Sequence, residues 1–226
     1  MKRRIFAAAL AALMVLPLAG CGSSSPSGSS SHSPTLTRTA LNQPVYPDFP
    51  QKPDYEEFQD DWDAYDKAST EYYEQLSALR GDGIFPDTVQ ALTDFAGRST
   101  ALAIEGMEGE NTVYSPLSLW SALAMLAQCA GGESRQQVLS ALGSGGLESL
   151  QEQVAQVWQG LYTNDGVSSL LLANSIWLNS SMEGTYVEET LETLARDYYA
   201  GAFSVPMGTT EADQAVTDWV SEQTHG

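Results

Sequence analysis

The chain has 226 residues, with 29 Asp+Glu, 10 Lys+Arg, two His and two Cys. A net charge of −19 supplies no cationic surface for phosphate, so nucleic acid is excluded as a partner. Two Cys exclude a disulfide scaffold and a Cys-rich metal site, and two His outside any motif argue against a His-based catalytic centre.

Lys2, Arg3 and Arg4 form a charged start, and Ile5 to Leu16 is an apolar run. The run is shorter than the roughly 20 residues that a membrane span needs. Leu18-Ala19-Gly20-Cys21 then places small residues at a cleavage point. Residues 1–20 therefore read as an export signal. The small-small-Cys ending resembles the bacterial lipobox, whose Cys is diacylated. This makes Cys21 the candidate lipid anchor, since two acyl chains hold firmly where one binds marginally. The alternative is an ordinary secretory signal that ends near a Cys. Cleavage would remove three cations and no anions, taking the net charge from −19 to −22. The expected localisation is outside the cytoplasm, lipid-anchored to the bacterial membrane, with the charge keeping the body off anionic headgroups.

Residues 21–53 read as a Ser/Pro-rich tether. Residues 22–34 alone hold eight Ser, two Gly and two Pro, with His32 among them. Such a composition cannot bury a core. As a random coil, residues 22–47 would reach about 28 Å. Pro44, Pro47, Pro50 and Pro53 stiffen its end.

Residues 54–80 read as an acidic amphipathic helix. Tyr55, Phe58, Trp62, Tyr65, Tyr72, Leu76 and Leu79 fall at steps of three and four, with Ser69 in the gap. The stripe either packs on the main domain, which would protect Trp62, or binds a partner.

The main domain is expected over 86–226. Pro86-Asp87 marks a helix start with Asp87 as cap, followed by a stripe from Val89 to Ala103. Asn111 to Tyr114 is a short extended piece. Ser115-Pro116 opens the next helix, with Ser115 as N-cap and Pro116 at the first helical position. From Leu117 to Ala130 that helix is apolar almost all round and is expected at the centre. Cys129 at its end is either a buried small hydrophobe or a reactive thiol. Ser134 to Leu142 is a short helix closed by Gly143. Leu147, Leu150, Val154, Val157 and Leu161 form another stripe. Leu170 to Leu178 is a short apolar run, expected as a strand buried on both faces. A helix around Val187 to Tyr198, a strand over Ala202 to Met207 and a helix carrying Trp219 complete the chain. The last of these opens on a capping box of Thr210 with Asp213.

These residues carry a resemblance. Asn111-Thr112-Val113-Tyr114-Ser115-Pro116-Leu117-Ser118, the apolar helix, Gly131-Gly132-Glu133-Ser134 and Ala141-Leu142-Gly143 resemble a serpin. Leu172-Ala173-Asn174-Ser175-Ile176-Trp177-Leu178 and the Trp219 helix ending in Thr224-His225-Gly226 continue it. The resemblance implies an α+β serpin fold, here its front portion: helices A to F with the first strands of the central sheet. It makes Asn111 to Tyr114 a rear-sheet strand. It assigns Ser115 and Ser118 to the shutter where the central sheet parts, with Asn111 just upstream. Small hydroxyls at a helix start can exchange hydrogen-bond partners as strands separate.

The implied function is inhibition of serine or cysteine proteases. A protease cleaves an exposed loop, which then enters the central sheet as a new strand and traps the acylated enzyme. No run of small residues like that loop's hinge occurs here, so this chain by itself is expected to be inactive. The alternatives are a non-inhibitory serpin-fold lipoprotein that binds a partner, and an inactive truncated product. An enzyme is not expected, because no nucleophile stands beside a base. No cofactor is implied. Gly143-Ser144-Gly145-Gly146 lacks the Lys and the strand-to-helix setting of a phosphate loop.

Overall fold

The computed structural model describes residues 38–107, 109 and 111–224. Residues 1–20, expected as an export signal, lie outside the described residues, as do Cys21, His32 and His225.

Thr39–Asn42 forms strand β1, which pairs antiparallel with β5 (Ala200–Val205). β5 also pairs in parallel with β4 (Asn174–Asn179), giving the sheet order β1-β5-β4. The tether expected over 21–53 therefore gives way at Thr39, because strand pairing and apolar burial take over there. Phe49 and Pro50 are buried. The Tyr162 hydroxyl donates to the Pro47 carbonyl at 3.0 Å, and Gln51 Nε2 donates to the Asn164 carbonyl.

The acidic segment is broken in two. A 3-10 turn covers Tyr55–Phe58, and helix α1 covers Trp62–Arg80. Between them Gln59 and Asp60 take positive φ of 47° and 71°. Asp54 caps the first piece and Asp61 the second, each accepting a backbone N–H. One continuous helix over 54–80 is thus replaced by two capped pieces: Asp is a better cap than helix interior. Trp62 is 64% exposed, so in this chain α1 does not pack on the domain through this ring; the protection expected of it concerns the complete protein.

Helices α2 (Pro86–Ala103), α3 (Pro116–Cys129), α4 (Gly132–Leu142) and α5 (Leu147–Leu161) build the main core. Phe85, not Asp87, sits at the cap position of α2, with Pro86 at the first turn and Asp87 inside it. The Phe85 N–H and the Thr88 hydroxyl both donate to Gln156 Oε1, which substitutes for a side-chain cap. Gly143 ends α4 at φ 74°, and a Cβ there would meet that of Ala91 at 3.2 Å. α3 buries Trp120, Ala124, Met125 and Ala127, but Leu126 is half exposed, so the helix is covered on one side.

Asn111 to Tyr114 forms no strand, and Val113 is fully exposed. The apolar run Leu170–Leu178 also divides. Thr163–Asn164 (β2) and Ser169–Leu170 (β3) make a small hairpin, and only Asn174–Asn179 joins the sheet. Asp165 tightens the hairpin turn by accepting from the Val167 and Ser168 backbone N–H groups, which holds its carboxyl below the usual range. β4 is half-buried throughout, not buried on both faces. It has β5 on one side and, among the described residues, no strand on the other.

Helix α6 (Glu188–Asp197) and helix α7 (Thr210–Thr224) flank the sheet. Leu194 of α6 and Ala200 of β5 belong to the main core, against which Ile176 packs. Val205 packs on the opposite face with Ala212 and Ala215 of α7. Thr209, not Thr210, caps α7: its hydroxyl accepts from the Ala212 N–H. The cap moves one residue upstream because that hydroxyl is also anchored, donating to the Pro206 carbonyl.

Candidate functional site

Two features stand out as candidates: the hydroxyl pair at the start of α3, and the side of β4 that has no strand neighbour among the described residues. Ser115 caps α3, as its spacing before Pro116 predicts. Its Oγ accepts from the Ser118 backbone N–H at 3.2 Å and from the Ser118 hydroxyl at 2.9 Å. Both residues are exposed. The structure thus brings Ser115 and Ser118 together. Asn111 is exposed, and no hydrogen bond joins it to either serine.

The sheet beside the open edge is braced by aromatics. Trp177 of β4 stacks on Phe203 of β5 at 4.8 Å, and Trp219 of α7 meets both edge-on, at 6.3 and 6.4 Å. Gly201 makes room for this packing, since a Cβ there would come within 2.8 Å of the Phe203 ring. Trp177 Nε1 donates to Ser175 Oγ at 2.9 Å. Asn179 Oδ1 accepts from the Met207 and Ser181 N–H groups and pins the strand end to the β5–α7 connection.

From the far side, Arg38 lies over the Phe203 ring at 5.2 Å and bonds Glu222 of α7. The N-terminal segment also enters a second aromatic cluster. Tyr46 stacks on Trp158 and Tyr199, and Phe49 meets Tyr162 edge-on at 5.6 Å. Sequence reasoning missed this whole strap. The Ser- and Pro-rich composition around it hid the two signals present, an Arg between two Thr and a Tyr-Pro-Asp-Phe step.

Cys129 is exposed, against the expectation of a buried small hydrophobe, because the half-exposed side of α3 reaches its last turn. Its thiol is nevertheless pushed up by partial desolvation, which lowers the thiolate population and disfavours the reactive reading. Gly143 to Gly146 is the connection between α4 and α5, where the Ser144 hydroxyl donates to the Gly146 carbonyl.

A family model described as Serpin (serine protease inhibitor) matches residues 90–226. Serpin-Z1A from Triticum aestivum is 34% identical over 122 residues, covering 51% of this chain and 30% of that protein. Alpha-1-antiproteinase from Rattus norvegicus is 27% identical over 140 residues, covering 60% and 34%. Corticosteroid-binding globulin from Sus scrofa is 27% identical over 142 residues, covering 59% and 34%. The chain spans about a third of the length of the curated relatives it matches.

Proposed function

This chain belongs to the serpin family, and from that premise we propose that the whole protein inhibits serine or cysteine proteases from a lipid anchor on the bacterial surface. The match over residues 90–226 carries the inhibitor reading. In this reading the chain is the front portion of the inhibitor and is not an enzyme. The reactive loop belongs to the rest of the whole protein, and the protease is its partner. The open edge of β4 and the serine pair at α3 fit a sheet whose strand contacts change when a loop enters. Asn111 is assigned to the same shutter by its place in the motif alone.

The anchor rests on the Lys/Arg start, the apolar run and Leu18-Ala19-Gly20-Cys21. Cys21 would carry the acyl chains, with residues 22–37 as the spacer. A Cys21→Ala variant should leave the membrane fraction or remain unprocessed. Unchanged fractionation, with no acyl mass on the mature N-terminus, refutes the anchor.

The inhibitor reading is tested on the protein expressed from its complete coding region. It is mixed with serine and cysteine proteases and examined for a covalent complex that survives SDS. A stoichiometric complex supports inhibition. Absence of any complex, with small-molecule or protein binding instead, favours a non-inhibitory role. The similarity to corticosteroid-binding globulin, a relative whose name states a binding function, makes that the second reading.

A further inference from the structure

Residues 54–66 contain seven carboxylates, four aromatic residues and no Lys or Arg. They lie outside the family match, which begins at residue 90. The four rings form one face. Tyr55 lies 4.7 Å from Trp62 and 5.3 Å edge-on from Tyr65, and Phe58 lies 5.6 Å from Tyr65. Neither the 3-10 turn nor α1 buries a single residue. The cluster is therefore self-packed on one side and open on the other, with Trp62 the most exposed ring.

α1 is fastened at its far end. Leu76 and Leu79 pack on the Phe49, Trp158 and Tyr162 cluster. The Arg80 guanidinium donates to the Gln159 and Gly160 carbonyls and to Thr163 Oγ1. The aromatic face is thus carried out from the domain on a helix anchored behind it. Asp61 and Asp54 hold the two pieces by capping, and the Tyr55 hydroxyl donates to Asp60 at 3.0 Å. The rings are set before any partner arrives.

The charges around the face are unbalanced. Glu56, Glu57, Asp63 and Asp66 take part in no ion pair among the described residues, and Lys67 is paired with Glu71 instead. Carboxylates crowded around electron-rich ring faces repel one another and attract cations. A second copy of this chain brings the same charge, and anionic lipid and nucleic acid are repelled too.

We propose that Tyr55, Phe58, Trp62 and Tyr65, rimmed by these carboxylates, form a docking face for a partner protein that presents an exposed Lys/Arg-rich segment. Guanidinium and ammonium groups sit over the rings and bond the carboxylates at their edges.

The test uses the full chain and a fluorescein-labelled peptide of alternating Arg and Gly, with an alternating Glu and Gly peptide as control. Anisotropy should show saturable binding of the cationic peptide alone, weakened by salt. Trp62→Ala and Tyr65→Ala should each weaken it about tenfold. Asp63→Asn combined with Asp66→Asn should weaken it severalfold. Removing the same charge elsewhere, with Glu188→Gln and Glu189→Gln on α6, should change nothing. Trp62 is exposed, so its loss leaves the fold intact, and circular dichroism checks this. Equal binding by wild type and the ring variants would reduce the effect to net charge and overturn the proposal. So would absence of binding, tighter binding of a neutral oligosaccharide, or burial of Trp62 by self-association.

Discussion

The Arg38 guanidinium lies 2.5 Å from the Glu222 carboxylate, joining residues 184 apart in sequence. Arg38 also lies over Phe203, so one side chain ties the N-terminal segment to both the sheet and α7. Its side chain is 13% exposed and that of Glu222 is 47% exposed, so solvent screens much of the ion pair. The cation–π contact adds about 0.5–1 kcal/mol. Arg38→Ala should therefore lower unfolding stability by about 1 kcal/mol in urea, and Glu222→Gln by less. An equal loss from both would mean that the ion pair alone matters.

The strap is held more firmly by Phe49 than by Arg38. Phe49 is buried against Tyr162 and Trp158 at the edge of the helical core. Its removal leaves a cavity that the stacked rings cannot close. Phe49→Ala should cost about 3 kcal/mol. It should also expose residues 38–53 to proteolytic nicking while α3 to α5 stay resistant. Nicking at the wild-type rate would mean that the strap is held by β1 alone.

Four tyrosines make the fold sensitive to alkali. Burial pushes the hydroxyls of Tyr46, Tyr162, Tyr198 and Tyr199 above the ordinary value of 10.0. Above pH 10 the unfolded chain releases these protons while the folded chain keeps them. Fewer protons are then bound in the unfolded state, so stability falls as pH rises. It is fully present below pH 10 and is lost as pH climbs toward the folded values. The melting temperature should hold up to about pH 10 and fall as pH rises beyond it, and Tyr199→Phe should reduce the fall. A flat profile would contradict the burial of these hydroxyls.

Trp62 is the place where the sequence pattern and the structure part most clearly. The three-four stripe from Tyr55 to Leu79 locates helix α1, and Leu76 and Leu79 do pack on the domain. Periodicity gives a face, but it cannot say what covers it. The first half of this face is covered by its own rings. The tryptophan emission lost in Trp62→Phe, taken as the difference from wild type, should therefore be quenched by acrylamide nearly as fast as free tryptophan. Slow quenching would place the ring against another surface.

The same division runs through the main domain. Ser115 before Pro116 fixes the start of α3, because cap and first-turn proline are local chemistry. Gly143 fixes the end of α4 for the same reason. Strand partners are not local. The Leu170–Leu178 run carries the apolar content of a central strand, yet it divides at Leu171–Ala173, and β4 lies at an edge. β1 was illegible for the opposite reason. Its residues are ordinary, and only β5 makes them a strand.

That edge governs how a polypeptide of residues 1–226 should behave when made by itself. Among the described residues no strand pairs with Asn174–Asn179 on the side away from β5, and such an edge templates pairing with another chain. The net charge of −19 opposes that pairing. At low salt repulsion acts over long range and should keep the polypeptide monomeric. At about 0.1 M salt the screening length shrinks to about 10 Å, while edge hydrogen bonds are untouched. Self-association should therefore rise with salt in sedimentation velocity, the reverse of an association held by ion pairs. The same polypeptide should form no SDS-stable complex with serine or cysteine proteases, since trapping requires a loop that enters the sheet. A salt-independent monomer would mean that the β4 edge is protected. A covalent complex would mean that residues 1–226 already hold a working bait loop.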